Sequence, residues 1–370
     1  MHIAIDLRPW MGEYKTGVGQ YIEGLLDSLF SLETQHIFTL FTSGKQQVKF
    51  PKKWQKYTHV QSVHLPMSNK FLHFCLYLLH YPRLDQYVSK KTGSVVDVWF
   101  SPNMHFTPLS LDVRHIMTIH DLSFLLYPKF FTKKQQLWHK LVNAKRQARL
   151  ADQVIVPSYN TKQDVVDYYH FSEEKVSVIY PGVTAIEKSE VIEHLPQKYM
   201  VYVGTCEPRK NIRGIIHAYV KSHAHDMGYD LVLAGAPGWK CKDVQAMVQY
   251  TPGVHALGYI SAEQKRFLYE HATLALFPSF YEGFGFPPVE AAYYHCPVIT
   301  SNSSSLPEVM GGAAYYVDPY HIDTIADGIG HMLTSSDLRE RFCVLDKKQV
   351  ELFQWESSAK QFLSLINNIL

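Results

Sequence analysis

Four short segments of the chain carry side chains able to handle a phosphorylated, hydroxyl-rich ligand. In Pro278-Ser-Phe-Tyr-Glu-Gly-Phe-Gly-Phe-Pro-Pro-Val-Glu290, an apolar run ends at Pro278 and a glycine-containing turn feeds a helix with Pro287 and Pro288 in its first turn. Proline is tolerated there because the first backbone N–H groups of a helix have no intrahelical partner. Gly283 and Gly285 remove side chains that would hold a ligand off the backbone, and amides at the start of a helix can hold a phosphate. Glu282 on the loop and Glu290 in the helix are poor phosphate ligands but good acceptors for sugar or ribose hydroxyls. Two acids at a helix start also suit an ordinary strand–helix junction, so the pair alone leaves both readings open.

In Val203-Gly-Thr-Cys-Glu-Pro-Arg-Lys-Asn211, Arg209 and Lys210 can neutralise a diphosphate, Arg as a fork and Lys as a point charge. The alternative is a solvated basic pair. In Thr118-Ile-His-Asp-Leu-Ser-Phe124, His120 follows a strand, where a lone histidine is either structural or part of a site, and Asp121 either supports it or caps the next turn. Lys15-Thr-Gly-Val-Gly-Gln-Tyr21 places Gly17 and Gly19 between the first strand and first helix, as a phosphate-approaching loop or a tight turn. It is not a complete GxGxxG, because Ile22 stands at the third glycine position. No convincing ribose-binding acid follows at about 20 residues, which weakens a nicotinamide dehydrogenase. Ser303-Ser-Ser-Leu-Pro-Glu308 reads equally as lining of the ligand pocket and as helix capping, and stays outside the site. No Asp-x-Asp and no HExxH occurs, so the expected reaction needs no metal and no other cofactor.

These segments sit on a regular alternation. Strands are expected at His2–Leu7, Ile37–Thr42, Val95–Ser101, His115–Ile119 and Gln153–Pro157, then at Met200–Val203, Asp230–Ala234, Val254–Leu257, Leu274–Pro278 and Pro297–Thr300. Helical patterns lie between them at Val18–Phe30, Thr132–Ala151, Ile212–His223, Ala262–His271 and Phe286–Tyr294. Strand-then-helix order predicts parallel sheets covered on both faces. The pattern restarts near residue 199, beyond Pro196. The expected domains are residues 1–185, Rossmann-like and acceptor-binding, and 199–350, Rossmann-like and donor-binding, with 351–370 a helical segment that packs back on the first. Two such domains would bind ligands in a cleft at the carboxyl ends of their strands. Phe71–Leu79, apolar on most sides and flanked by Lys70 and Arg83, reads either as a buried helix or as one that contacts a membrane surface.

Composition bounds the function. The 370 residues suit two medium domains, and 46% apolar with 19% charged residues is a globular balance. A net charge of only +2 gives no general nucleic-acid surface. Five cysteines without a CxxC pair argue against a disulfide framework or zinc ribbon and fit a reducing cytoplasm. The first residues already alternate as a strand, leaving no signal-peptide core, and no stretch reaches the roughly 18 apolar residues of a membrane span.

Glu282-x7-Glu290, preceded by Phe277-Pro-Ser and followed by Ala291-Ala-x4-Pro297-Val-Ile, resembles the signature of the retaining GT-B glycosyltransferases of family 4. The resemblance extends over nearly the whole chain. It implies an α/β GT-B fold, two doubly wound Rossmann-like domains facing a cleft, and transfer of a hexose from a nucleoside diphosphate with retention. It assigns Glu282 to the donor sugar, Glu290 to the nucleotide ribose, and Arg209 and Lys210 to the diphosphate. Gly17, Gly19, Gly285 and Phe286 are expected at the diphosphate, His120 near the sugar, and Asp121, Gly283 and Phe284 in support. Thr205 stands where some relatives have Arg, so the dominant base is open. The Arg-Pro, Gly-Val-Gly, His-Asp-Leu-Ser and Ser-Leu-Pro-Glu run looks most like bacterial mannosyltransferases of polysaccharide assembly. GDP-mannose is therefore the first expected donor, and a glycan or lipid-linked glycan the acceptor. A phosphorylase-like enzyme and a non-catalytic glycan- or nucleotide-binding relative are the alternatives.

Overall fold

The computed structural model describes residues 1–12 and 16–369, so Lys15 of the glycine segment lies outside the described residues. The chain divides into two compact units. The first comprises Met1–Leu122, Lys133–Gly182 and Gln354–Leu370, and the second Ser123–Thr132 and Val183–Phe353. This differs from the expected limits, because Ser123–Thr132 groups with the second unit. That segment is held there by the Trp239 indole, which donates to the Phe130 carbonyl at 2.8 Å, and by Tyr127 against Tyr281, ring centroids 5.6 Å apart.

The first unit is built on seven parallel strands: β1 (His2–Asp6), β2 (Ile37–Ser43), β3 (Val60–Leu65), β4 (Val98–Ser101), β5 (Arg114–Thr118), β6 (Gln153–Val156) and β7 (Val176–Val178). Their spatial order is β3-β2-β1-β4-β5-β6-β7. The second unit has six: β8 (Tyr199–Val203), β9 (Asp230–Ala234), β10 (Val254–Gly258), β11 (Leu274–Phe277), β12 (Val298–Ser301) and β13 (Ala314–Val317), ordered β10-β9-β8-β11-β12-β13. Central strands such as β1 and β8 are buried along their whole length, as sheets covered on both faces require. Strand order reverses between β1 and β4, and again between β8 and β11. In open α/β sheets such reversals open a crevice at the strand carboxyl ends.

Three departures from the sequence reading have local causes. The expected helix Thr132–Ala151 is two helices, Lys133–Val142 and Ala144–Leu150, broken at Asn143, whose φ of 50° is left-handed and whose side chain caps the second by accepting from the Arg146 N–H. The Phe71–Leu79 stretch is not a buried helix. It forms Asn69–Phe74 and a π-helical turn Cys75–Leu79, with Leu72, Cys75 and Leu76 inside and Phe71, Phe74, Leu78 and Leu79 exposed. Cys206, in the loop after β8, is disulfide-bonded to Cys241, beyond β9. Because β8 and β9 pair in parallel, their following loops leave the sheet at one edge, a proximity that cysteine spacing does not reveal. Cysteine usage therefore no longer argues for a reducing compartment.

The C-terminal helix Trp355–Ile369 packs within the first unit against the helix Gly17–Ser31. Phe362 meets Phe100 at 4.6 Å between ring centroids, and Trp355 fills a slot walled by Gly24 and Gly182. Among the described residues no helix is long and apolar enough to cross a membrane.

His115 on β5 is buried, with Nε2 3.0 Å from Ser101 Oγ. Burial pushes its pKa down from 6.5 to about 4, against the opposing pull of Asp152 and Asp6. The unfolded chain therefore takes up a proton at this residue before the folded one does. Stability is full above pH 6.5 and falls as pH drops towards 4, by about 3 kcal/mol at most from this group. Thermal melts across that range should show Tm falling with acid, and His115→Gln should flatten the slope.

Candidate active site

The second unit gathers one charged cluster where β8, β11 and β12 end. After β8 the chain makes a short 3-10 turn, Pro208–Lys210, closed by Asn211 at φ 58°. Asn211 is buried and donates to the carbonyls of Pro278 and Pro319 at 3.0 and 2.9 Å. The Phe280 N–H donates to the Arg209 carbonyl at 2.9 Å, stitching the loops after β8 and β11 together. This frame fixes where the charged side chains meet.

Glu282 is the hub. Lys210 Nζ donates to both carboxylate oxygens at 2.6 and 2.8 Å, Arg209 Nη1 to Oε2 at 2.7 Å, and Ser279 Oγ to Oε1 at 2.8 Å. Arg209 also donates to the Tyr281 carbonyl at 2.9 Å and, through Nη2, to Glu207 at 2.6 Å. Burial pushes the Glu282 carboxyl up, but Lys210 and Arg209 outweigh it and hold the pKa at about 2. Two cations and two carboxylates thus share one set of short, charge-assisted bonds.

Hydroxyls from the segment after β12 hold the loop that carries this hub. Ser304 Oγ accepts from the Glu282 N–H at 2.9 Å, while Ser305 Oγ donates to the carbonyls of Glu282 and Phe284 at 2.8 and 3.1 Å. Gly285 sits at φ 102° as the N-cap of the helix Phe286–Tyr293, and a Cβ there would lie 2.8 Å from Leu306 Cδ2. Only glycine fits both demands. Pro287 and Pro288 have no N–H, so of the first three helical residues Phe286 alone carries a backbone donor. That is narrower than a full set of helix-start amides. Phe284 is a packing residue, 5.1 Å from Phe353 and 5.3 Å from Phe286 between ring centroids. Glu290, buried one turn into the helix, accepts from Lys265 Nζ at 2.6 Å.

In the first unit, His120 follows β5 and its Nε2 lies 2.8 Å from the Pro102 carbonyl. A carbonyl only accepts, so Nε2 carries the proton and the neutral ring presents Nδ1 as an acceptor. Burial of the ring lowers its pKa, against the Pro102 bond and Asp121, which keeps that form at neutral pH. The Tyr21 ring meets His120 edge-on at 4.8 Å. Tyr21 belongs to the helix Gly17–Ser31, so the structure brings the glycine segment and the histidine together. Gly17 and Gly19 form that helix's first turn rather than a free loop; the Gly19 N–H reaches the capping Thr16 Oγ1 at 3.5 Å.

The sequence profile of glycosyl transferases group 1 matches residues 185–344, and that of Glycosyltransferase Family 4 matches residues 16–185. The O-antigen chain mannosyltransferase B of Escherichia coli is 30% identical over 287 residues, 72% of this chain and 73% of that protein. The chain belongs to glycosyltransferase family 4. The O-antigen chain mannosyltransferase RfbU of Salmonella typhimurium is 30% identical over 208 residues, 55% of this chain and 56% of that protein. Sucrose-phosphate synthase from Thermosynechococcus elongatus superposes with a TM-score of 0.77 at 18% identity, covering 100% of this chain and 99% of that one. At that identity the likeness speaks for the GT-B fold alone.

For this family 4 glycosyltransferase, the structure adds residues that the sequence reading left out. Ser304 and Ser305, read as caps or as pocket lining, frame the Glu282 loop, and Ser279, Glu207, Asn211 and Lys265 complete the charged and polar contacts. Ser304 and Ser305 lay in a segment that already matched the family pattern. Lys265 had no local signal, because its partner Glu290 is on another helix. Among the described residues no three His, Cys, Asp or Glu side chains gather into a group that could hold a metal ion.

Proposed function

We propose that this glycosyltransferase moves mannose from GDP-mannose to a glycan or lipid-linked glycan, with retention at the anomeric carbon. The observation that carries the reading is the Arg209–Lys210–Glu282 cluster at the β8/β11 reversal. It is supported by the two mannosyltransferases of O-antigen chains that the chain resembles. Arg209 and Lys210 bind the donor diphosphate and offset the charge that grows on it as it departs. Amides of the Gly283–Phe286 turn add donors to the same group. Glu282 accepts from sugar hydroxyls, Glu290 from the ribose, and His120 Nδ1 from a further sugar hydroxyl.

In the reaction, the bond from the anomeric carbon to the diphosphate oxygen breaks. The acceptor oxygen bonds to the same face of that carbon, and its proton passes to the departing diphosphate oxygen. Calorimetric titration with GDP-mannose, GDP, UDP-glucose, UDP-galactose and ADP-glucose tests the donor. Binding of GDP-mannose at least about tenfold tighter than the others is expected, a margin one hydrogen-bonding group can supply. Tighter binding of a UDP- or ADP-sugar would overturn the donor assignment.

A further inference from the structure

The helical stretch Asn69–Leu79 is apolar on two sides, and the fold uses one. Leu72, Cys75 and Leu76 point inward, and the same element packs on its neighbours through His73 and Tyr77 against Phe106, at 5.5 and 5.8 Å between ring centroids. The opposite face leaves Phe71 56%, Phe74 55%, Leu78 58% and Leu79 60% exposed, and Tyr81 beyond it 68%. Isolated exposed apolar residues are ordinary; five within eleven positions form a contiguous patch of the kind that marks an interaction surface.

Charge identifies the partner. From residue 34 to residue 84 the chain has seven Lys and Arg and not one Asp or Glu. The whole chain carries +2, so this segment holds +7 and the remainder sums to −5. Part of that charge stands beside the patch. Ser43 Oγ donates to Asn69 Oδ1 at 2.9 Å, and the Gly44 N–H to the Leu65 carbonyl at 3.1 Å, so exposed Lys45 and Lys70 leave the same edge of the sheet. Exposed Arg83 follows Tyr81 by two residues. The first acid after it, Asp85, is buried and accepts from Ser110.

We propose that this face docks on an anionic lipid surface, with Phe71, Phe74, Leu78 and Leu79 entering the interface and Lys45, Lys70 and Arg83 meeting the headgroups. Aromatic and aliphatic side chains with a basic flank are what the boundary between headgroups and acyl chains accepts. A second copy fits less well. A two-fold contact through this patch would bring the Lys45, Lys70 and Arg83 of both copies into one interface. A protein partner would also be expected to find carboxylates among the groups fixing its register, and residues 34–84 contain none.

The test is co-sedimentation with phosphatidylcholine vesicles, with and without phosphatidylglycerol. The full chain should bind the phosphatidylglycerol vesicles, release with added salt, and bind phosphatidylcholine weakly. Phe74→Ser/Leu78→Ser/Leu79→Ser should weaken vesicle binding by on the order of a hundredfold, and Lys45→Glu/Lys70→Glu by on the order of tenfold. Both variants should keep wild-type binding of nucleotide-sugar in solution, so failure here is separate from failure of the donor assignment. Phe74→Trp gives an independent reading, since the emission of the introduced indole should shift to the blue only with phosphatidylglycerol vesicles. The proposal is overturned if the wild type stays in the supernatant, if the triple variant binds vesicles equally, or if the emission of the Phe74→Trp variant does not move. A wild-type dimer that the triple variant abolishes, without vesicle binding, would assign the face to a second copy.

Discussion

Lys210→Ala and Arg209→Ala are each expected to lower kcat/KM for the nucleotide-sugar by about 10²- to 10³-fold while the chain stays folded. Removing a charged hydrogen bond weakens ground-state binding by about 1.5–3 kcal/mol. Where the donor is aimed at charge that grows in the transition state the loss reaches the upper end of the range, since single donors of this kind are worth about 10²–10³ in all. The two substitutions should not multiply. Both cations bind the same carboxylate, Lys210 on both oxygens and Arg209 on Oε2, so each reorganises when the other is lost. The double variant should therefore fall by less than the product of the singles.

Glu282→Gln separates this account from a purely structural one. On the proposed reading, a diphosphate and the Glu282 carboxylate compete for the N–H groups of Arg209 and Lys210. Neutralising the carboxylate, which is ionised down to a pH of about 2, releases the cations for the ligand. Nucleoside diphosphate binding should hold or tighten while sugar transfer drops. A merely structural ion pair would give lost stability and no gain in nucleotide affinity. Calorimetry with the free diphosphate, paired with steady-state transfer rates, distinguishes the two, and weaker binding in Glu282→Gln would count against the competition.

What the sequence made legible follows from burial. Interior parallel strands are enclosed on both faces, so β1, β8, β9 and β11 read as apolar runs close to their true limits. The three strands that went unread, Val60–Leu65, Val176–Val178 and Ala314–Val317, all lie at a sheet edge. There one side lacks a neighbour, and Gln61, Ser62, Ser177 and the Tyr315–Tyr316 pair interrupt the pattern. The site shows the same divide. Glu282, Arg209 and Lys210 carried local signatures and do converge. Their framing by Ser279, Ser304 and Ser305, and the Lys265 partner of Glu290, depend on which loops leave neighbouring strands. Strand order supplies that proximity, and the spacing of residues along one segment does not contain it.

Gly24→Ala is expected to destabilise the first unit in the wild type and to stabilise it, or leave it unchanged, in a Trp355→Ala background. A Cβ at Gly24 would lie 2.1 Å from Trp355 Cε2, and the residue is close-packed against Gly182 as well, where a Cβ would lie 2.2 Å from the Trp355 N and 2.6 Å from its Cγ. Overpacking of this kind costs about 1–3 kcal/mol. Trp355→Ala alone removes a buried anchor and costs about 3–5 kcal/mol. With the indole gone the collision disappears, and the preference of a helix interior for Ala over Gly, about 1 kcal/mol, is all that remains. The sign reversal isolates the contact from any general intolerance at position 24. The same slot connects to the proposed role of His120, since Trp355 meets Tyr21 at 6.0 Å and Tyr21 meets His120 at 4.8 Å between ring centroids. Trp355→Ala should therefore lower transfer through His120 while leaving nucleotide binding at Arg209 and Lys210, in the other unit, near wild type. Urea melts of the four chains, with transfer and nucleotide titrations on each, decide the matter: equal destabilisation by Gly24→Ala in both backgrounds would mean that Trp355 is not what glycine makes room for.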